Sequence, residues 1–449
     1  MDARLTAPNI GWIGIFRLGL VQAALGAIVI LTTSTLNRVM VVELALPATL
    51  PGALVGWHYA VQLSRPRWGY GSDVGGQRAP WIIGGMITLA IGAIAAAAST
   101  TLMATQPTLG VLGAIVAFFI IGVGVGAAGT NQLALLATHT LPSRKAAAAA
   151  ITWIMMIIGF IITAGVAGAM LEPFSMQRLL EVTTIISLVA VAVAALAIWG
   201  LEGRAQIAKP MSEAEDKPDF SAILKEVWAD QQARRFTIFV LVSMLAYSAQ
   251  DLILEPFAGL IYGYTPGEST SLAATQNMGV LLGMIVTAIL GTVVGKSRAR
   301  FMRQWTIFGC IASAVALASL CAAAMVGPTW PLKPTVFGLG IANGAFAVAA
   351  IGSMMTLASA GKRGREGTRM GLWGAAQAIS FGIGGFLGAS ALDLARFVFQ
   401  QVGPAFATVF AMEGLLFIVA AGCAFWVGDP QDDDVDLPIL PAGEMVPAE

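Results

Sequence analysis

The sequence predicts an all-α integral membrane protein, with twelve transmembrane helices in two six-helix halves and both termini in the cytoplasm. Three observations predict it. Of the 449 residues, 57% are hydrophobic and 11% charged, and the mean hydropathy is +0.79; a soluble domain carries about 25% charged residues. Runs such as 82–98, 146–170 and 307–326 hold almost no charge over the roughly 20 residues that a spanning helix needs. Finally, with the N-terminus inside, every one of the 25 Lys and Arg residues except Arg38, Arg178, Lys333 and Arg396 falls at or near an inner segment, the positive-inside pattern.

Apolar windows between polar or turn-forming breaks place the spans, in order, at 13–35, 45–65, 80–102, 108–138, 146–170 and 178–200, then at 236–262, 271–294, 304–326, 335–359, 370–392 and 405–427. The chain thus divides into a short cytoplasmic N-terminus (1–12), a first bundle (13–200), a polar connection (201–235), a second bundle (236–427) and an acidic tail (428–449). The start of the chain lacks a basic region, short apolar core and cleavage site, so no removable signal peptide is expected. Within the connection, Phe220, Ile223, Leu224, Val227 and Trp228 recur at helical spacing. They predict an amphipathic helix capped by Asp219, lying on the cytoplasmic membrane surface or packed on protein.

The two halves echo one another. Gly122-Val-Gly-Val-Gly126, a basic turn at Arg144-Lys145 and Trp153 are matched by Gly338-Leu-Gly340, the turn Lys362-Arg363-Gly-Arg365 and Trp373; Glu43 after the first span has a counterpart in Glu255. Gly122-x-x-x-Gly126 and Gly384-x-x-x-Gly388 are small-residue faces suited to close helix contact. Two such repeats match the major facilitator architecture, in which parallel halves enclose a central site.

Composition also excludes functions. Cys310, Cys321 and Cys423 lie in apolar segments without metal-ligand spacing, and only two histidines are present. There is no phosphate-binding Gly-Lys loop, nucleophile triad or zinc signature. The chain is therefore read as a non-enzyme, and its formal net charge of zero argues for no nucleic-acid partner.

Several residues carry possible chemistry. Gly69-Tyr-Gly-Ser-Asp73-Val-Gly-Gly-Gln-Arg78 has the form G-x-x-x-D-x-x-G-x-R and resembles the turn between the second and third helices of major facilitator transporters. Asp73 and Arg78, with Arg365 or Arg369 across the halves, can form a charge latch, or the turn only fixes topology. Its second-half partner, Gly291 to Arg298, has lost the Asp. Arg38, Glu43, Asp251 and Glu255 lie near the outer ends of the first and seventh spans, and Asp251 and Glu255 share a helix face at i, i+4. With Asp393 and Glu413 they are acids or bases in apolar surroundings, where charge is costly unless paired or wetted. They handle substrate or protons, or they are interfacial groups. Asn131, Gln132, Gln250, Asn277, Asn343 and Gln377 line a cavity or bond neighbouring helices. His58, between Trp57 and Tyr59, is either a ligand to a chlorin magnesium or a packing residue.

The strings Leu36-Asn37-Arg38-Val-Met-Val-Val-Glu43-Leu and Gln250-Asp251-Leu-Ile-Leu-Glu255-Pro256-Phe, with Phe16-Arg17-Leu, resemble the bacteriochlorophyll-delivery (PucC-type) branch of the major facilitator superfamily over roughly residues 10–428. The resemblance implies a light-harvesting antenna assembly factor in a bacterial inner or intracytoplasmic photosynthetic membrane. Bacteriochlorophyll is then the implied bound ligand, and antenna polypeptides and pigment-synthesis enzymes are the implied partners, beside membrane lipid. A proton-coupled secondary transporter of a small or lipophilic solute is the alternative.

Overall fold

A computed structural model describes residues 10–65, 68, 77–141, 144–202, 228–293, 298–360 and 366–427. The expected surface helix from Asp219 lies outside these residues except for Trp228 at its end, and the acidic tail lies outside them. The helices run in the order α1 (Trp12–Glu43), α2 (Thr49–Val61), α3 (Ala79–Met103), α4 (Pro107–His139), α5 (Lys145–Met170) and α6 (Met176–Ile198). The second half follows with α7 (Gln231–Tyr262), α8 (Pro266–Val293), α9 (Arg298–Val326), α10 (Leu332–Ala360), α11 (Glu366–Phe399) and α12 (Val402–Val427). Among the described residues, 11 helices are long and apolar enough to cross a membrane. The remaining one, α2, has 13 residues and continues as a single 3₁₀ turn, Gln62–Ser64.

Local chemistry sets the helix ends. Proline in the first turn opens α3 and α4, where its missing N–H would be unpaired anyway. Ser175 Oγ accepts from Arg178 N at 3.1 Å to cap α6, and Asp230 Oδ1 accepts from Gln232 N and Ala233 N at 2.9 and 3.2 Å to cap α7. That cap starts α7 five residues before the expected 236. Gly263, at φ +67°, ends α7 in the left-handed conformation that glycine tolerates.

α1 departs most from expectation. It runs to Glu43 rather than 35, and two stretches, Leu31–Thr35 and Val39–Glu43, are wound as π-helix. Nothing between 35 and 43 breaks a helix: Arg38 ends a short α-helical stretch, Leu36–Arg38, between the two wider turns, and Glu43 ends the second of them, so both lie within the helix rather than in a loop; such wider turns often mark functional sites.

Each half has its own apolar core. In the first, α3 packs along α4 and α6, while α1 packs on α5 and α6. In the second, α8 packs on α10, α9 on α10 and α12, and α7 on α11 and α12. An arginine from the first helix of each half closes its last helix. Arg17 Nε donates to the Ala197 carbonyl at 2.8 Å and Arg235 to the Trp426 carbonyl at 3.0 Å, placing a cation on a helix C-terminus in both cases.

The halves meet along two helix pairs, α5 with α8 and α2 with α11. Glycines make these seams close. A Cβ on Gly52 would lie 2.8 Å from Ala389 Cβ, one on Gly56 3.0 Å from the Gly382 carbonyl, and one on Gly168 would strike Ser271 Oγ. The α1–α2 and α7–α8 turns mark one end of the bundle, the clasp end; the end of α6 and the start of α7 mark the other, the linker end.

Candidate functional site

The clasp is built from a proline. Pro256 lies inside α7 and has no N–H, so the Leu252 carbonyl loses its helical donor. In an apolar interior an unpaired carbonyl is costly. Asn37 of α1 supplies the missing donor: its Nδ2 reaches Leu252 O at 2.7 Å, and Asn37 is 2% exposed. The two family-like strings, Asn37-Arg38 and Gln250 to Pro256, therefore meet directly across the halves.

The neighbouring turns of α1 extend this contact. Ser34 Oγ donates to a Glu255 carboxylate oxygen, while the other oxygen has no hydrogen-bond partner among the described residues. Thr35 and Thr270 hydroxyls lie 3.2 Å apart. Arg38 is 1% exposed; its Nη1 meets Glu43 Oε1 at 2.5 Å and its Nη2 donates to the Tyr264 carbonyl at 2.5 Å. Gly259 makes room for the guanidinium, since a Cβ there would sit 3.1 Å from Nη2. Glu43 keeps 33% of its side-chain surface, so one end of the ion pair is wet and the other dry.

Asp393 joins α11 to α2. Its carboxylate accepts from Ala48 N at 3.0 Å, from Thr49 N at 2.7 Å and from Thr49 Oγ at 2.6 Å. An anion thus caps the N-terminus of a helix in the other half.

The other expected site residues separate from this cluster. Gln250 turns into the second half, where its Oε1 accepts from Asn343 Nδ2 at 2.9 Å and Asn343 Oδ1 accepts from Ser313 at 2.9 Å. Glu413 is 2% exposed with neither oxygen hydrogen-bonded among the described residues. Asp251, one turn from Glu255 towards the linker end, is half-buried and interacts electrostatically with Tyr59 and Tyr247. His58 is 1% exposed, with Nδ1 2.7 Å from the Val55 carbonyl and its ring against Phe118. It is buried inside the first half, with its ring also 4.2 Å from that of Tyr59.

Of the opening turn, Gly69 and Asp73 lie outside the described residues, as does Arg365; nothing is described of the Arg369 side chain. Arg78 N and Ala79 N donate to the two Glu202 carboxylate oxygens at 2.6 and 2.7 Å, so the turn's described end is held by the chain just after α6. Sequence reasoning passed over Glu202. It also missed Gly279-x-x-x-Gly283 and Gly340-x-x-x-Gly344, whose Cβ positions would meet backbone of the facing helix in α8 and α10. The signal was present in the spacing.

Solved structures of similar fold include a POT peptide transporter in complex with sulfate (TM-score 0.69, 14% identity, 95% of this chain and 98% of that one). A nucleoside transporter also matches (TM-score 0.61, 14% identity, 92% and 99%). At such identity they establish the fold, two transporter-like halves, and no more. Among sequences, the chain is 51% identical over 415 residues to the bacteriochlorophyll synthase 44.5 kDa chain of Rhodobacter capsulatus, covering 92% of this chain and 95% of that one. It is 28% identical over 429 residues to protein PucC of the same organism, covering 91% of each. The pattern of the family described as PUCC protein matches residues 35–428, from just before Asn37 to the end of α12, so both strands of the clasp fall inside it and the chain belongs to the PucC family.

Proposed function

We propose that this protein is an assembly factor for bacterial light-harvesting antenna complexes. It binds bacteriochlorophyll within the membrane and passes it to antenna polypeptides, with pigment-synthesis enzymes as further partners and no bond-making step of its own. The observation that carries the reading is the 51% identity, across nine-tenths of the chain, to a protein named for bacteriochlorophyll synthesis. The fold suits the task. Two halves joined by a polar clasp at one end can rock about their seams, exposing a lipid-soluble ligand sideways or at the linker end. In this reading the chain crosses a bacterial inner or intracytoplasmic photosynthetic membrane twelve times, and the basic linker end is cytoplasmic.

The test is purification of the tagged protein in native lipid from a pigmented bacterium. Co-purifying bacteriochlorophyll and antenna polypeptides are expected. A second reading, proton-coupled transport of a small solute, is favoured by Glu255, a buried acid where the halves meet, one of whose oxygens has no hydrogen-bond partner among the described residues. It predicts instead a colourless preparation that takes up a solute down a proton gradient, an outcome that would overturn the assembly reading.

A further inference from the structure

We infer that Tyr59, Tyr247, Phe381 and Asp251 line a ligand site at the seam of the two halves that takes the face of a magnesium chlorin. The inference rests on the proposed function for the identity of the ring, and on the structure for the place. Tyr59 belongs to α2, Phe381 to α11, and Tyr247 and Asp251 to α7, so both halves contribute. The rings form a continuous track. Tyr59 to Phe381 is 5.8 Å between centroids, Phe381 to Tyr247 6.0 Å, and Tyr247 to Phe346 6.3 Å, within the range of aromatic contact.

The polar groups on that track are unspent. Among the described residues neither tyrosine hydroxyl nor the Asp251 carboxylate has a hydrogen-bond partner. All four residues keep partial exposure although they lie between helices. A carboxylate without a partner at this depth is costly and marks a functional position. Its neighbours narrow the ligand class. Aromatic rings tilted 45–56° to one another offer a flat conjugated ring face and edge contacts. A free carboxylate suits a hard cation that prefers oxygen, which magnesium is, and two phenols suit the ring's peripheral carbonyls. The His58 ring lies 4.2 Å from that of Tyr59 but is buried against Phe118 of α4, whereas the Tyr59 ring meets Phe381 of α11, so the tyrosine is the one that reaches the seam.

The site is tested with the full-length protein in phosphatidylcholine nanodiscs, titrated with bacteriochlorophyllide and with its metal-free counterpart, bacteriopheophorbide. The readouts are near-infrared absorption and circular dichroism. Wild type is expected to bind both, the magnesium form at least tenfold tighter. Asp251→Asn should abolish that preference while leaving the metal-free affinity in place, and Phe381→Ala should weaken both ligands about fivefold or more. Thermal melting confirms that each variant is folded; should Phe381→Ala fail to fold, Phe381→Leu replaces it. Wild-type affinities retained in both variants, loss of binding in His58→Asn alone, or no binding by wild type would each overturn the site. If wild type binds pigment but the seam variants are silent, the site falls and the assembly function stands. If antenna formation does not need the protein, that function falls independently.

Discussion

Replacing Arg38 by methionine removes the guanidinium while keeping an apolar stem of similar length, and its effect follows from two bonds. The one to Glu43 lies within α1, and Glu43 is 33% exposed, so the stranded carboxylate regains water and the loss there is small. The one to the Tyr264 carbonyl, at 2.5 Å, joins α1 to the α7–α8 turn of the other half. A hydrogen bond to a charged group contributes about 1.5–3 kcal/mol, which at about 1.4 kcal/mol per tenfold shifts a two-state equilibrium roughly 12- to 140-fold. The population with the clasp end parted should rise by such a factor. Spin labels at Gln177 and Gln401, both exposed at that end, read it as a distance distribution, with the native cysteines replaced by alanine. Arg38→Met should add a longer-distance population, and Arg38→Lys, which keeps the charge but not the planar fork, should fall between. Identical distributions in all three proteins would refute the claim that Arg38 holds the halves together.

Asn37→Leu leaves the Leu252 carbonyl without a donor and should destabilise the protein by about 1–3 kcal/mol, seen as a lower melting temperature in detergent. Adding Pro256→Ala restores a backbone N–H to that carbonyl, so the double variant should melt above Asn37→Leu alone, a coupling that a double-mutant cycle measures. Asp393→Ala removes three accepted bonds from the start of α2 and should cost about 1–2 kcal/mol, with faster amide exchange at Thr49 than in α4. Gly344→Val places a side chain against the Val280 carbonyl of α8 and should lower stability by about 1–3 kcal/mol or more, whereas Gly338→Val, with open space around it, should be nearly silent in the same melting assay.

Much of this fold is legible in the sequence because a membrane imposes it. Backbone groups in hydrocarbon must bond internally, so uninterrupted apolar runs become helices, and the expected spans differ from α3, α5 and α12 by only a few residues. The end of α1 was less legible: π-turns leave no compositional mark, and Arg38 and Glu43 read as loop residues on charge alone. The clasp was half legible. The strings holding Asn37, Arg38 and Glu255 stood out, but the link from Pro256 through the Leu252 carbonyl to Asn37 joins residues 215 positions apart, which no local periodicity can encode. Gln250 and Asp251 are adjacent in the chain yet face different surroundings, the interior of one half and the seam between two. Their helical angle separates them, but only packing says which surface each meets. Glu202 hid in a polar connection whose composition resembled a linker.

Delivery of pigment to antenna polypeptides is tested most directly by deleting the gene in a pigmented bacterium and recording near-infrared absorption of the membranes per reaction centre. Antenna absorption should fall severalfold while free bacteriochlorophyll is still made, and the intact chain should restore it. Unchanged antenna absorption would contradict it, as would arrest of bacteriochlorophyll synthesis with a precursor accumulating.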